Sequence, residues 1–150
     1  MSDLPKSPLV SEPVIAEATP ADRDATIALW HAAGLTRPWN DPQADFGRAL
    51  ATASSTILLA RVDDALAGSI MVGDDGHRGW VYYLAVAPDG RRSGLGRRLM
   101  AAAEAWLRAR GVPKVQLMVR EGNEDALAFY AALGLQRQAV VTLGRFLEDA

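Results

Sequence analysis

The order of its segments predicts a single mixed-sheet α/β (α+β) domain for this 150-residue chain. Three observations carry that reading. Short apolar runs bounded by turn residues alternate with stretches whose apolar residues recur at helical spacing. Two of the runs, Thr56 to Val62 and Leu66 to Val72, are joined through Asp63-Asp64, which marks an antiparallel hairpin. A third run, Trp80 to Ala87, leads through a glycine- and arginine-rich turn into Leu95, Leu99, Ala102, Ala103, Trp106 and Leu107, spaced as one face of a helix.

The elements follow in order. Residues 1–13 mix serines and charges with Pro5, Pro8 and Pro13, the composition of a disordered tail, so the folded domain is expected over 14–150. Val14 to Ala18 reads as a strand. Thr19 then offers an N-cap, Pro20 a first helical position and Asp22 an acid in the first turn. Ile27, Trp30, Ala33 and Leu35 mark that helix, with Gly34 as its stop signal. A shorter helix is expected from Asp41-Pro42 through Phe46 and Leu50. After the hairpin, Asp74 to Gly79 is a turn-rich loop, and Pro88 ends the strand that follows. The long helix runs to Gly111. Val115 to Val119 is a strand, Asn123 to Leu133 a helix closed by Gly134, and Ala139 to Leu143 a last strand. The predicted order is β-α-α-β-β-β-α-β-α-β.

Composition bounds the function. Hydrophobic residues make up 49% and charged residues 23%, an ordinary globular balance. The formal net charge is -2, so no basic excess argues for nucleic acid. There is no cysteine, which removes disulfides, thiolate metal sites and a cysteine nucleophile. No apolar run approaches the ~20 residues that span a bilayer, and the N-terminus lacks a basic-then-apolar signal pattern. A cytoplasmic protein without membrane, nucleic-acid or metal partners is the expectation.

The most informative segment is Arg91-Arg92-Ser93-Gly94-Leu95-Gly96-Arg97-Arg98, at the strand-to-helix turn. Two glycines allow a sharp turn and a close approach of the backbone to a ligand. A helix N-terminus carries free N–H groups and partial positive charge, so it favours acids. Four arginines stand there instead. An anion among them resolves the conflict, and a linked pair of phosphates fits. A solvated basic helix start is the plainer alternative. The P-loop Gly-Lys-Ser/Thr ending is absent, and Leu99 stands where a dinucleotide-binding turn would carry its third glycine.

Arg91-x-x-Gly94-x-Gly96 resembles the Gln/Arg-x-x-Gly-x-Gly/Ala loop of the GNAT (Gcn5-related) N-acetyltransferases, and Leu84-Ala85-Val86-Ala87-Pro88 looks like the strand that leads into it. Asn123-x-x-Ala126-x-x-Phe129-Tyr130-x-x-Leu133-Gly134-Leu135 is similar to the family's second signature. The motifs stand in the family's order and cover nearly the whole chain after the tail. Arg37-Pro38-Trp39-Asn40-Asp41-Pro42 further resembles small bacterial members related to ribosomal-protein alanine acetyltransferases.

The resemblance implies a mostly antiparallel, splayed sheet flanked by helices, and acetyl transfer from acetyl-CoA to a primary amine by direct attack. Backbone groups from Arg92 through Ser93, Gly94 and Leu95 to Gly96 would hold the pyrophosphate, with Arg91, Arg92 or Arg97 adding charge. Leu84, Ala85 and Val86 would meet the acetyl and pantetheine portions, with a Leu84 or Val86 N–H at the oxyanion. Asn123 would contact the pantetheine arm, and Tyr130 would point its hydroxyl at the thioester sulfur as the catalytic acid. Seven residues apart, Asn123 and Tyr130 share a helix face; an N-cap and a core aromatic are their plainer readings.

No residue stands out as the general base. The resemblance puts Asp74, Asp75, His77, Tyr82 and Tyr83 on the loop and strand that border the acceptor side in that family, and none is assigned. Arg37, Trp39 and Asn40 stand in a loop that shapes the acceptor pocket in this family, and Asp41, Asp45, Asp74 and Asp75 would draw a cation. The acceptor is left open between a small amine and a protein or peptide N-terminus. A homodimer is possible, and a silent acetyl-CoA sensor is the alternative to an enzyme.

Overall fold

The computed structural model of the chain describes residues 12–88 and 94–148. They pack as two units, one reaching Met118 and a smaller one from Val119 onward.

In the first unit a five-stranded sheet runs in sequence order: β1 (Val14–Glu17), β2 (Ser55–Val62), β3 (Ala65–Asp74), β4 (Gly79–Val86) and β5 (Val115–Gln116). The first four strands are antiparallel neighbours, and β5 lies parallel to β4. The hairpin forms as expected, with Asp63 and Asp64 both at positive φ (51° and 68°). Two positive φ values in a two-residue loop match the twist of the flanking strands.

A 3-10 turn (Pro20–Asp22) leads into α1 (Arg23–Ala32). The Asp22 carboxylate accepts from the Thr19 N–H at 2.8 Å, closing the predicted cap. Helix α2 (Pro42–Ala51) starts at Asp41, whose Oδ1 accepts from the N–H groups of Gln43 and Ala44. These two helices cover a core of Leu29, Trp30, Phe46, Ala49, Ile57, Leu59 and Ala85. Helix α3 (Leu95–Ala109) covers the other face through Leu95, Leu99, Ala103 and Leu107. Its approach is close. A Cβ on Gly68 would lie 2.8 Å from Leu99 Cδ1, and one on Gly79 would lie 2.5 Å from Leu107 Cδ1.

Two expectations are corrected. The strand predicted over Val115 to Val119 stops at Gln116, because its ladder with β4 covers only Gly79↔Val115 and Trp80↔Gln116. The strand predicted over Ala139 to Leu143 does not form: Val140, Val141 and Leu143 are exposed and lie in no regular element. A strand exists through its partner, and the sheet of the described residues holds only β1 to β5. The second unit therefore consists of α4 (Glu124–Ala132) and irregular chain. The predicted tail, apart from Glu12 and Pro13, lies outside the described residues.

Candidate active site

The register of β4 carries the principal departure from regularity. Ser69 pairs with Ala85, yet Met71 pairs with Tyr82, so two residues of β4 oppose one of β3. This is a β-bulge at Tyr83 and Leu84. Tyr83 adopts φ +53°, uncommon for a residue with a bulky side chain.

The bulge changes which way the strand faces. Without it, residues 79, 81, 83 and 85 would share one face. Instead Gly79 backs onto α3, whereas Tyr83 and Ala85 join the core beneath α1 and α2. Tyr82 and Tyr83, though adjacent, line the same cleft.

Buried partners hold the strain in place. The indole N–H of Trp30 donates to Ser69 Oγ at 3.0 Å, and that hydroxyl donates to the Tyr83 carbonyl at 3.0 Å. Trp30 and Ser69 are fully buried. The Tyr83 ring stacks on Trp30 at 3.8 Å between centroids, and its hydroxyl donates to Asp45 Oδ2 at 2.7 Å. A buried indole N–H and a carbonyl turned out of the ladder each need a partner, and one serine supplies both.

Beyond the bulge, no strand among the described residues pairs with one edge of β4. Pairing with β5 ends at Trp80, six residues before β4 itself ends at Val86. The Ala87 N–H donates to Ala67 O on the β3 side. Since backbone groups alternate along a strand, the Val86 N–H faces that edge, and so does that of Leu84 two residues earlier.

The chain then enters α3 at Gly94, whose φ of +82° suits a glycine. Among the described residues no side chain caps this end, and its first turn holds no acid. The N–H groups of the first turn, Leu95, Gly96 and Arg97, have no intrahelical partner. Arg98 is drawn off by Glu12 at 2.8 Å. Arg97 has no hydrogen-bond or ion-pair partner among the described residues. Arg91, Arg92 and Ser93 lie outside them.

On the α2 side of the bulge, a cleft of about 410 Å³ is lined by Asn40, Asp45, Arg48, Ala49, Ser55, Met71, Tyr82 and Tyr83. Asn40 is the member of the Arg37, Trp39 and Asn40 loop that reaches it. Arg37 instead staples its own loop, donating to the carbonyls of Gly34 and Thr36. Trp39 is exposed. Arg48, Ser55 and Met71 were not legible as site residues; no motif marks them, and only α2 packing against β2 and β3 brings them together.

Of the five base candidates, Tyr82 and Tyr83 line the cleft. Asp74 and Asp75 are used within their loop, where Asp75 accepts from the N–H groups of His77 and Arg78 and from the Trp80 indole. Those backbone donors hold the Asp75 carboxyl below its ordinary range. Burial pushes both tyrosines up, helped by Asp75 at Tyr82 and by the Asp45 bond at Tyr83. Phenols so shifted keep their protons near neutrality.

In the second unit, Asn123 caps α4 by accepting from the Ala126 N–H at 3.1 Å, so its plainer reading holds. Tyr130 packs edge-on against Phe129, with centroids 5.0 Å apart. Burial raises its hydroxyl above the ordinary phenol value.

Known proteins share this architecture. An aminoglycoside N-acetyltransferase, AAC(6')-Iy, solved in complex with CoA, superposes with a TM-score of 0.80 over 95% of this chain and 99% of its own, at 18% identity. The ribosomal-protein-S18-alanine N-acetyltransferase of Escherichia coli does so with a TM-score of 0.71 over 82% of this chain and 77% of its own, at 25% identity. In sequence, an acetyltransferase of Pectobacterium atrosepticum is 44% identical over 129 residues, 85% of this chain and 92% of the relative. One from Yersinia enterocolitica is 42% identical over 127 residues, 85% and 90% of the two chains. The class is thus that of the N-acetyltransferases. The profile of the acetyltransferase (GNAT) family matches residues 22–135, and the chain belongs to that family.

Proposed function

We propose that the chain binds acetyl-CoA along the β4 edge beyond the bulge, with the pyrophosphate on the start of α3, and that an amine in the neighbouring cleft attacks the thioester directly. The observation that carries this is the bulge. It turns a strand edge outward next to an uncapped helix start on one side and a polar cleft on the other.

The extended, amide-bearing arm of the donor takes the place of a strand at that edge, through Leu84, Ala85 and Val86. Asn123, whose amide N–H groups are left over from capping, meets the same arm. Gly94, Leu95 and Gly96 supply backbone donors to the phosphates and Arg97 supplies charge, with Arg91, Arg92 and Ser93 completing the cradle. Acetyl-CoA is the cosubstrate, and no metal is required.

The chemistry follows. The amine nitrogen forms a bond to the acetyl carbon, and the carbonyl oxygen takes up negative charge at the Val86 or Leu84 N–H. The C–S bond then breaks. Tyr130 gives its proton to the departing thiolate, and the amine's surplus proton leaves to solvent. A phenol raised by burial above its ordinary value remains loaded at neutral pH, as an acid for a thiolate must. The reading places the enzyme in the cytoplasm, with one catalytic domain over 14–150 and a homodimer as the assembly to test.

The test is Tyr130→Phe. Turnover in a free-thiol assay should fall about 10²- to 10⁴-fold while the affinity for acetyl-CoA changes little. Unchanged turnover removes Tyr130 from the chemistry.

A further inference from the structure

The cleft beside the bulge has a chemical bias that the family alone does not supply. We propose that its ligand, the acceptor, carries a carboxylate close to its amine, as an amino acid or short peptide does. This rests on the cleft being the acceptor site.

Two charged side chains line the cleft, Asp45 and Arg48, and they face each other at 2.7 Å. Asp45 is nearly consumed: Oδ1 takes the guanidinium and Oδ2 the Tyr83 hydroxyl. Arg48 is not. Its side chain is 73% exposed against 25% for Asp45, and its other N–H groups have no partner among the described residues. The side-chain amide of Asn40 and the hydroxyl of Tyr82 likewise have no hydrogen-bond partner there. The unengaged groups are therefore a guanidinium, an amide and a phenol, which can all donate. Their common complement is a carboxylate, which a guanidinium takes in a two-pronged bond. Ala49 and Met71 offer a short apolar wall between.

The same arrangement argues against a polycationic acceptor. A bundle of ammonium groups would meet no free carboxylate, since Asp45 is already paired with Arg48, and would face the guanidinium's remaining N–H groups. The volume, about 410 Å³, sits toward the small end of the ~300–1,000 Å³ usual for small-molecule sites. It suits one or two amino-acid residues.

The experiment uses matched acceptors differing in one group: an amino acid, its carboxamide and its decarboxylated amine, and the same set built on a dipeptide. Specificity (kcat/KM) by thiol release should favour the carboxylate form by roughly ten- to a hundredfold, the scale of one charge-assisted bond. Arg48→Gln should bring that ratio near one, and Arg48→Lys should restore part of it. The ratio is the readout, so a general loss of activity cancels. Calorimetric titration of the same sets into the CoA-saturated protein reads the preference without turnover. Equal affinities, no binding by any of them, or a ratio untouched in Arg48→Gln overturns the proposal. Failure of the enzyme reading looks different: no heat with CoA, and no thiol release with any amine.

Discussion

Tyr83 shows how much one residue decides here. Its left-handed backbone costs of order 1 kcal/mol or more, offset by the stack on Trp30 and the hydroxyl bond to Asp45. Nothing in an apolar run reading Trp-Val-Tyr-Tyr-Leu-Ala-Val announces a bulge, because the residue that turns is neither glycine nor asparagine. Asp22 is the opposite case, legible as a cap from Thr19-Pro20-Ala21-Asp22. The Thr19 N–H, with the Arg61 guanidinium behind it, holds its carboxyl below the ordinary carboxylate range. A depressed folded pKa stabilises above the unfolded value and is lost as pH falls through the folded one. Asp22→Asn should therefore lower Tm at pH 7 and lose its effect as melts are taken below about pH 4. An equal Tm deficit at pH 7 and at strongly acidic pH counts against this.

The elements around β4 act as one fixture. Ser69 bridges the buried Trp30 indole and the Tyr83 carbonyl. Ser69→Ala should destabilise by about 1–3 kcal/mol in denaturant titration, since a buried donor and acceptor are both orphaned. It should also lower kcat more than it raises the KM for acetyl-CoA, because the bulge loosens while the helix start stays. Gly68 has a different task. It lets the first turns of α3 sit against β3, where a Cβ would meet Leu99, the Ala85 carbonyl and Leu95. Gly68→Ala should push the helix start away from the strand edge, costing roughly 1–3 kcal/mol through overpacking. Here the larger loss is expected in affinity for CoA. Opposite signatures for the two variants separate chemistry from binding; identical ones would mean that both act through stability alone.

At the scale of the molecule, donor binding should couple to folding. With CoA at about a hundred times its Kd the folded state gains ~2.7 kcal/mol, which a thermal melt reads as a rise of several degrees. The rise should shrink with added salt if, as proposed, arginine charge contributes to holding the phosphates. No rise at any concentration would leave the glycine-arginine turn without a ligand.

Local chemistry decided what could be read in advance. The caps at Thr19 and Asp41, the two-aspartate hairpin, the glycine-led helix and the capping Asn123 depend on neighbours a few residues away, so the sequence alone determined them, as its two motifs did the family. Packing between distant segments decided the rest. The Tyr83 bulge needs Ser69, Trp30 and Asp45, fourteen or more residues away, and the cleft needs α2 laid across β2 and β3. The failed last strand has the same cause, since pairing belongs to two segments and cannot be read from one.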